Sequence, residues 1–476
     1  MFTSIKFLIF LILLWLIYAV IPVRFRREIL LVAGYVFCGL ISLPAMLVLM
    51  VVTVLVYAAG RVIEKNRSAF VAVVTLALFA FALIVYKNIP YLIGVFGPVA
   101  LKENHILTSL VLPVGFSFYA FGAIGYIYDV WKGKEKAEKD FLSFALYMSF
   151  FPKLVSGPIE RKGPFTKQIE NLPNVDVVKI ERISYACLQM MWGYVLKLVV
   201  ADRLALIVDQ VYASPTDYDT VWLIMGAVFY SFQVYTDFAG YTYIAMGCAT
   251  LFGIDLTQNF KSPYNSQSIS EFWRRWHISL SSWLRDYIYI PLGGNRKGKL
   301  RKCINTMIVF LICGIWHGNG ISFVVWGLLH GIYSLPGGLR KKRETKPKGI
   351  GAFVSTVVTF AAVTFAWIFF RADTLSQAVI YIRELFTAGV DPAYSTAVFE
   401  KSGLVVLQVY LSLALIVIVW VIDTICKRRS SSLPKMLQDK RPVVRYAFLY
   451  ICFMVIFIFG IYGGDFETEN FIYMQF

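Results

Sequence analysis

The chain has 476 residues, of which 58% are hydrophobic and only 16% charged, and its mean hydropathy is +0.66. Soluble domains usually contain about 25% charged residues, so the composition excludes a water-soluble enzyme and indicates a polytopic membrane protein. The 46 basic and 29 acidic residues give a net charge of +17. Because the cations cluster between apolar runs, they indicate cytoplasmic loops that face anionic lipid, and no nucleic-acid partner is expected.

The first apolar run covers residues 5–23 and is followed by Arg24, Arg26 and Arg27. It lacks a small-residue cleavage site, so we interpret it as an uncleaved first span. The three arginines predict that the N-terminus lies outside and that the end of this span lies inside.

Further apolar runs of spanning length follow along the chain. They cover residues 29–60 (two spans broken near Pro44), 69–86, 219–253, 303–336, 351–370, 403–425 and 444–462. Stretches too polar or too short to cross freely lie between them, at residues 111–130, 141–158, 183–204 and 268–292. Irregular backbone persists at membrane depth only where protein or water surrounds it, so these stretches are candidates for re-entrant or in-plane helices lining a cavity.

The last residues, 463–476, contain Asp465, Glu467 and Glu469 and no cation. Because this acidic tail follows the final predicted span, we expect it on the outer face.

Three of the four histidines, His277, His317 and His330, lie in the most apolar half of the chain, whereas His105 stands apart near a loop. An ionisable residue at membrane depth is costly and by default marks a functional site. His317 stands in a span that glycines interrupt at residues 314–320. It is either a catalytic imidazole or a packing histidine bonded to a carbonyl, and the glycine break favours catalysis.

His277 belongs to the aromatic-rich stretch of residues 271–286. Helical spacing predicts an amphipathic helix on which Trp273, His277 and Ser281 share a face. A structural role and a functional role for His277 both remain open. Three imidazoles would suit zinc, but no acidic or cysteine ligand stands at ligand spacing beside them, so we expect no metal.

Other chemistries lack support in the sequence. There is no G-x-S-x-G, Walker or G-x-G-x-x-G motif, and the seven cysteines form no C-x-x-C pair. Asp237 lies inside an apolar run, where it either pins helices together or takes part in catalysis.

Several ordered motifs resemble those of one family, the membrane-bound O-acyltransferases, and within it the bacterial branch of AlgI, PatA and DltB. The motifs are residues 112–119, 151–159, 235–241, 273–286, 289–296, 314–318, 326–331 and 369–372. The resemblance implies an all-α polytopic membrane protein with about 11 transmembrane helices plus re-entrant and in-plane helices around a central cavity.

The resemblance divides the chain into four segments. Residues 1–100 are expected to form N-terminal transmembrane helices and residues 101–340 the catalytic core. Residues 341–462 are expected to form C-terminal transmembrane helices, and residues 463–476 an extracytoplasmic tail that contains the FIYMQF motif.

The resemblance also assigns site residues. It implies that His317 is the catalytic histidine and His277 its second histidine, and it leaves the role of His330 open. The closing motif, residues 471–476, resembles the end of the small DltX partner proteins, which implies that Tyr473 carries the acyl group. An interfacial aromatic anchor is the alternative for Tyr473.

The implied function is acyl transfer, most simply of acetyl, from a cytoplasmic thioester to an extracytoplasmic polysaccharide. The donor would be acetyl-coenzyme A or an acyl carrier protein thioester, with no permanently bound cofactor, and an SGNH-type acetyltransferase outside would be the partner. Arg296, Lys297 and Lys299 could meet the donor's phosphates or act only as a topology signal. D-alanyl transfer to teichoic acid is the alternative within the family, and a multi-span transporter is the alternative outside it. The implied location is the bacterial plasma membrane.

Overall fold

Helices make up the secondary structure of the described part of this protein. The computed structural model describes residues 2–83, 88–89, 92–93, 113–318, 320–339, 347–390 and 406–461. Within these ranges the chain forms helices and turns and no β-strand. The predicted all-α fold class is therefore confirmed.

The helices are numbered in chain order. Helices α1 to α10 are Ile5–Val20, Arg26–Ile41, Leu43–Asn66, Ala69–Phe81, Phe116–Trp131, Phe141–Ser149, Phe151–Leu154, Lys162–Glu170, Ile180–Tyr194 and Asp202–Ala213. Helices α11 to α20 are Thr220–Leu251, Ile269–Trp273, Ile278–Leu284, Gly298–His317, Ile321–Leu339, Gly349–Arg371, Leu375–Thr387, Val406–Arg429, Leu433–Gln438 and Pro442–Phe459. Two π-helical segments, Val195–Ala201 and Arg285–Tyr289, follow α9 and α13.

Five helices of the described chain, α3, α14, α16, α18 and α20, are long and apolar enough to cross a membrane. Helices α1, α4 and part of α15 are apolar but shorter. The protein is thus a multi-pass membrane protein, while the count of about 11 spans stays a prediction.

The sequence also predicted where the chain breaks between helices. Helix α2 ends at Ile41 and α3 begins at Leu43, which confirms the break near Pro44. Of the four stretches predicted to form re-entrant or in-plane helices, three contain short helices or helices interrupted by π-helical turns, whereas the described part of residues 111–130 forms the continuous helix α5. The depth of these stretches in a bilayer stays a prediction.

The single amphipathic helix predicted through Trp273, His277 and Ser281 is wrong. Helix α12 ends at Trp273 and α13 begins at Ile278, so Trp273 and His277 do not share a helical face. The helix breaks because His277 takes a left-handed backbone conformation, with φ of +43°.

Contacts divide the chain into two compact units. The N-terminal unit comprises Phe2–Met190 with Ile244–Gln258. The C-terminal unit comprises Met191–Tyr243 with Asn259–Phe476 and contains the three clustered histidines. The four-segment division predicted from the sequence is a different partition and stays a prediction.

In the N-terminal unit a buried arginine ties the chain together. Arg26 at the start of α2 donates to the carbonyl oxygens of Leu172 and Val175, at 3.0 and 2.6 Å. Its guanidinium lies 5.3 Å from the ring centroid of Tyr18 in α1. One cation thus joins three separate segments, because buried guanidinium groups need several acceptors.

In the C-terminal unit an ion cluster ties α10 and α11 to the π-helical segment before α10. The Lys197 ammonium lies 2.8 Å from Asp202 Oδ1 and 2.6 Å from Asp237 Oδ1, and the Lys197 side chain is 3% exposed. Breaking a buried pair of this kind is strongly destabilising. This contact favours the structural role for Asp237.

Candidate active site

A tight helical hairpin carries the principal candidate residue. Helix α14 ends at His317 and α15 begins at Ile321, so the two helices run antiparallel. Their backbones approach closely at Gly314, where an added Cβ would lie 3.2 Å from the carbonyl carbon of Phe323 and 3.4 Å from Gly327 Cα. Small residues allow such approaches between membrane helices, and this one brings the end of α14 against α15.

His317 lies in an aromatic cage at the end of α14 and is only 3% exposed. Its ring centroid lies 4.6 Å from that of Trp316, 5.0 Å from that of Trp326 in α15, and 5.3 Å from that of Phe370 in α16. Three helices therefore position this imidazole, and their rings shield it from bulk water.

His277 is fully buried, and its backbone is held in the left-handed conformation by Asn259. The Asn259 carbonyl oxygen accepts from the Ile278 N–H at 3.0 Å, and its side-chain oxygen accepts from the Ser279 N–H at 3.1 Å. These bonds satisfy the first amides of α13 and fix the direction from which that helix starts. Left-handed non-glycine residues cost energy and cluster at functional sites, so this conformation is an independent signal for His277.

His330 in α15 is also fully buried, and its tautomer can be assigned from one hydrogen bond. The indole N–H of Trp273 donates to His330 Nδ1 at 3.3 Å. Because Nδ1 accepts a hydrogen bond, the proton of the neutral imidazole must be on Nε2. His330 is therefore a neutral ring with a fixed orientation.

Tryptophans connect the three histidines. The Trp316 ring centroid lies 6.5 Å from that of His277 as well as 4.6 Å from that of His317. The Trp326 ring centroid lies 5.0 Å from those of both His317 and His330. The histidines that the sequence selected thus form one aromatic cluster in the C-terminal unit.

Within the part of the chain that the structure describes, no three His, Cys, Asp or Glu side chains stand close enough to hold a metal ion. The imidazoles are separated by indole rings, so the arrangement suits proton transfer by single imidazoles.

The basic candidates lie at the other end of the same helix as His317. Arg296 and Lys297 precede α14, Lys299 is in its first turn, and all three are exposed. The 20 residues of α14 correspond to a length of roughly 30 Å at 1.5 Å per residue. The structure thus separates the predicted phosphate-binding cations from the predicted base by the thickness of a membrane.

Two further outcomes concern residues outside the cluster. Tyr473 lies outside the described residues, so its role stays a prediction. Asn259 was not predicted, because no local pattern indicates that an asparagine 18 positions earlier in the chain fixes the conformation of His277. Only the tertiary contact identifies it.

Comparison with known proteins assigns the family. Residues 135–347 match the model of the membrane-bound O-acyltransferase family. The relative "Probable alginate O-acetylase AlgI" of Pseudomonas aeruginosa is 34% identical over 404 residues, which are 81% of this chain and 74% of that protein. The protein of the same name from Pseudomonas fluorescens is 40% identical over 311 residues, 64% of this chain and 60% of that protein.

A third relative, a "Peptidoglycan O-acetyltransferase" of Helicobacter pylori, is 36% identical over 307 residues, 58% of this chain and 57% of that protein. The chain therefore spans less than two thirds of the length of the Pseudomonas fluorescens and Helicobacter relatives, but about three quarters of the Pseudomonas aeruginosa protein. The identity and coverage of the Pseudomonas aeruginosa relative, together with the family match and the all-helical membrane fold, lead to one conclusion. The chain belongs to the membrane-bound O-acyltransferase family.

Proposed function

We propose that this protein is a membrane O-acyltransferase that moves an acetyl group from a cytoplasmic thioester towards an extracytoplasmic glycopolymer of a bacterium. Family membership supports the reaction class. The names of the Pseudomonas and Helicobacter relatives refer to alginate and peptidoglycan, which supports a polysaccharide as the final acceptor. Thioester donors are made in the cytoplasm, so the protein would act in the plasma membrane.

The observation that carries this proposal is the environment of His317. The imidazole is buried at the end of a membrane-length helix, inside an aromatic cage whose Trp316 ring also lies 6.5 Å from the ring of His277. A buried ionisable ring in a membrane protein is costly and persists where it has a function.

In the proposed mechanism His317 acts as a general base. It takes the proton from the acceptor hydroxyl while the hydroxyl oxygen attacks the thioester carbonyl carbon. The tetrahedral intermediate then collapses, the carbon–sulfur bond breaks, and the imidazolium returns its proton to the leaving thiolate. A base of this kind contributes about 10²–10⁴-fold to the rate. The helix C-terminus at His317 favours the positive charge that the ring gains during this cycle.

His277 would assist without taking the proton itself. Because Trp316 neighbours both imidazoles, His277 would fix the cage or stabilise negative charge developing on the carbonyl oxygen. Its rigid left-handed backbone suits a group that must stay in one orientation during the reaction.

The donor would approach from the end of α14 that carries Arg296, Lys297 and Lys299. Exposed cations suit the phosphates of coenzyme A or an acidic carrier protein. Since these residues lie about 30 Å from His317 along the helix, the donor would have to be extended to place its thioester at the cage.

Tyr473 is the proposed acyl carrier between the two sides. Its phenolic oxygen would be the hydroxyl acylated at His317, and the acyl group would then pass to a secreted or membrane-anchored SGNH-type acetyltransferase. Tyr473→Phe tests this step, because it keeps the ring and removes only the oxygen. Loss of covalent label from the variant supports the carrier, and undiminished labelling would leave Tyr473 as an anchor.

The main experiment measures transfer by the full-length protein in nanodiscs. Purified protein is incubated with labelled acetyl-coenzyme A and an acceptor, and label on protein or acceptor is counted together with free thiol. We expect His317→Ala to lower the rate by about 10²–10⁴-fold while the variant remains monodisperse. His105→Ala, which changes the histidine that the sequence sets apart from the other three, is the matched control and should keep the wild-type rate.

The same assay distinguishes the alternatives. Normal transfer by His317→Ala would disprove the catalytic assignment. Covalent label that appears only when the donor is a D-alanyl carrier protein would indicate the teichoic acid reaction. Passage of unchanged substrate across a vesicle membrane, without covalent label, would indicate a transporter.

A further inference from the structure

Helix α18 carries a single carboxylate, Asp423, towards the end of an apolar span. An acid in a spanning helix is costly and by default marks a function. Asp423 Oδ1 accepts a hydrogen bond from the Tyr235 hydroxyl of α11 at 3.1 Å. Tyr235 is the first residue of the motif at residues 235–241 and is 5% exposed. The carboxylate of α18 is thus bonded to a motif that has no part in the proposed reaction.

The ring of Tyr235 lies against the neighbours of two residues of the candidate site. Its centroid lies 5.7 Å from that of Phe260 and 6.2 Å from that of Trp276. Phe260 follows Asn259 in the chain, and Trp276 precedes His277. The position of the Tyr235 ring therefore affects the chain on either side of the bonds that hold His277.

The same face of α11 touches His277 itself. The Phe238 ring meets the imidazole of His277 edge-on, and the two centroids lie 4.7 Å apart. Tyr235 and Phe238 are three residues apart, so they lie on one side of the helix. A shift of α11 at Tyr235 would therefore also move the ring that packs on His277.

Residues 259–265, the support segment, hold the chain on both sides of His277. Before His277, the Lys261 N–H donates to the Arg275 carbonyl oxygen at 3.0 Å, and the Arg275 guanidinium donates to the Lys261 carbonyl oxygen at 2.9 Å. After His277, Asn259 accepts from the first two amides of α13. The left-handed conformation of His277 thus depends on where the support segment lies.

Helix α18 also binds the far end of the support segment. The Lys427 ammonium donates to the Asn265 carbonyl oxygen, and Thr424 Oγ1 lies 3.3 Å from the Asn265 side-chain oxygen. Within the segment, Ser262 has a left-handed backbone with φ of +50°. Strained residues persist only where surrounding contacts hold them, and one turn of α18 supplies such contacts here. All of these residues belong to the C-terminal unit.

We infer that Asp423 is a positioning residue, which fixes the imidazole of His277 through Tyr235 and the support segment. A buried phenol needs an acceptor, and a carboxylate is a strong one. Without it the Tyr235 ring loses its fixed position against Phe260 and Trp276. The inference rests on the proposed function, in which His277 assists acyl transfer, because small displacements of a reacting group slow a reaction strongly.

The first test does not depend on acyl transfer. Hydrogen–deuterium exchange is measured by mass spectrometry on the full-length protein in nanodiscs, for the peptide that contains the Ile278 and Ser279 amides. We expect Asp423→Ala to raise the exchange rate of these amides about tenfold, while exchange in α17 stays at the wild-type rate. Asp423→Asn keeps an acceptor oxygen for Tyr235 and should restore the wild-type rate.

The second test measures kcat and KM with labelled acetyl-coenzyme A. Positioning acts on the reacting group and leaves donor binding alone, so we expect Asp423→Ala and Tyr235→Phe each to lower kcat about tenfold at unchanged KM. The double variant should be no slower than either single variant, because both changes remove the same hydrogen bond. Tyr235→Phe keeps the ring, and it decides the matter if Asp423→Ala does not fold.

Ser412→Ala is the matched control in the same helix. Ser412 is fully buried in α18, and its hydroxyl has no hydrogen-bond partner among the described residues. This variant should match the wild type in both tests. Folding of every variant is checked by thermal melting.

Three outcomes would overturn the inference. They are wild-type exchange of the Ile278 and Ser279 amides in folded Asp423→Ala or Tyr235→Phe, exchange in Asp423→Asn as fast as in Asp423→Ala, and a double variant slower than both single variants. Faster exchange with unchanged transfer is a separate result. It would support the positioning of His277 by Asp423 and disprove the role of His277 in the proposed reaction.

Discussion

At the scale of single residues, the backbone of His277 is the feature that most distinguishes the site. A left-handed conformation costs a non-glycine residue roughly 1–2 kcal/mol, so the structure maintains it against a local preference. The hydrogen bonds between Asn259 and the first two amides of α13 offset this cost. The sequence left the role of His277 open and predicted a continuous helix through Trp273, His277 and Ser281. The tertiary contact with Asn259 stabilises a break in the helix that the helical spacing alone did not predict.

Two substitutions separate the effect of the His277 backbone conformation from the effect of its side chain. Both His277→Gly and His277→Ala remove the imidazole, but glycine adopts the left-handed conformation without strain. We expect His277→Gly to be more stable than His277→Ala by about 1 kcal/mol, and both to lose acyl transfer to the same extent. Thermal melting and the labelled-acetyl assay measure the two effects. Equal stability of the two variants would show that the conformation imposes no strain.

At the scale of elements, the hairpin of α14 and α15 determines where His317 lies. The apolar run predicted at residues 303–336 is long enough for two helices, and the glycine break near residue 318 separates them. What the pattern did not predict is the register of the hairpin. The close approach of Gly314 to Phe323 and Gly327 sets that register and brings Trp326 against His317.

A glycine substitution tests this packing. Gly314→Ala would insert a methyl group between α14 and α15, so we expect destabilisation by about 1–3 kcal/mol together with a lower rate of acyl transfer. Thermal melting and transfer are measured on the same preparation.

Gly351→Ala is its control, because an added Cβ there meets only the Pro347 side chain at 3.7 Å. Inside helix α16 this change should leave activity intact and raise stability slightly. If Gly314→Ala behaved in the same way, the two helices would not depend on close backbone contact.

At the scale of the whole molecule, charge and helix length together give an orientation. Helix α14 begins beside exposed cations and ends about 30 Å away at His317, a length comparable to the hydrocarbon core of a bilayer. The positive-inside pattern predicts that the cations lie in the cytoplasm, so His317 would lie towards the outer face. The thioester would therefore travel most of the way through the protein before it reacts.

Cysteine labelling tests this orientation. With a membrane-impermeant maleimide, we expect Lys299→Cys to be labelled only in inverted vesicles and Thr3→Cys only in intact cells. Lys299 is exposed and Thr3 lies half-buried ahead of the first span, and the unsubstituted chain gives the background from its own cysteines. Labelling of Lys299→Cys in intact cells would reverse the proposed direction of transfer.

The sequence by itself determined that this protein is an all-helical, multi-pass membrane protein, and it selected the histidines that cluster. These properties follow from composition, apolar run length and local motifs, which do not depend on distant contacts. Only the tertiary structure decided that the indole rings of Trp316 and Trp326 join His277, His317 and His330, and that Asn259 bends the chain at His277. Such features depend on contacts between residues that are far apart in the chain, and local sequence spacing does not predict those contacts.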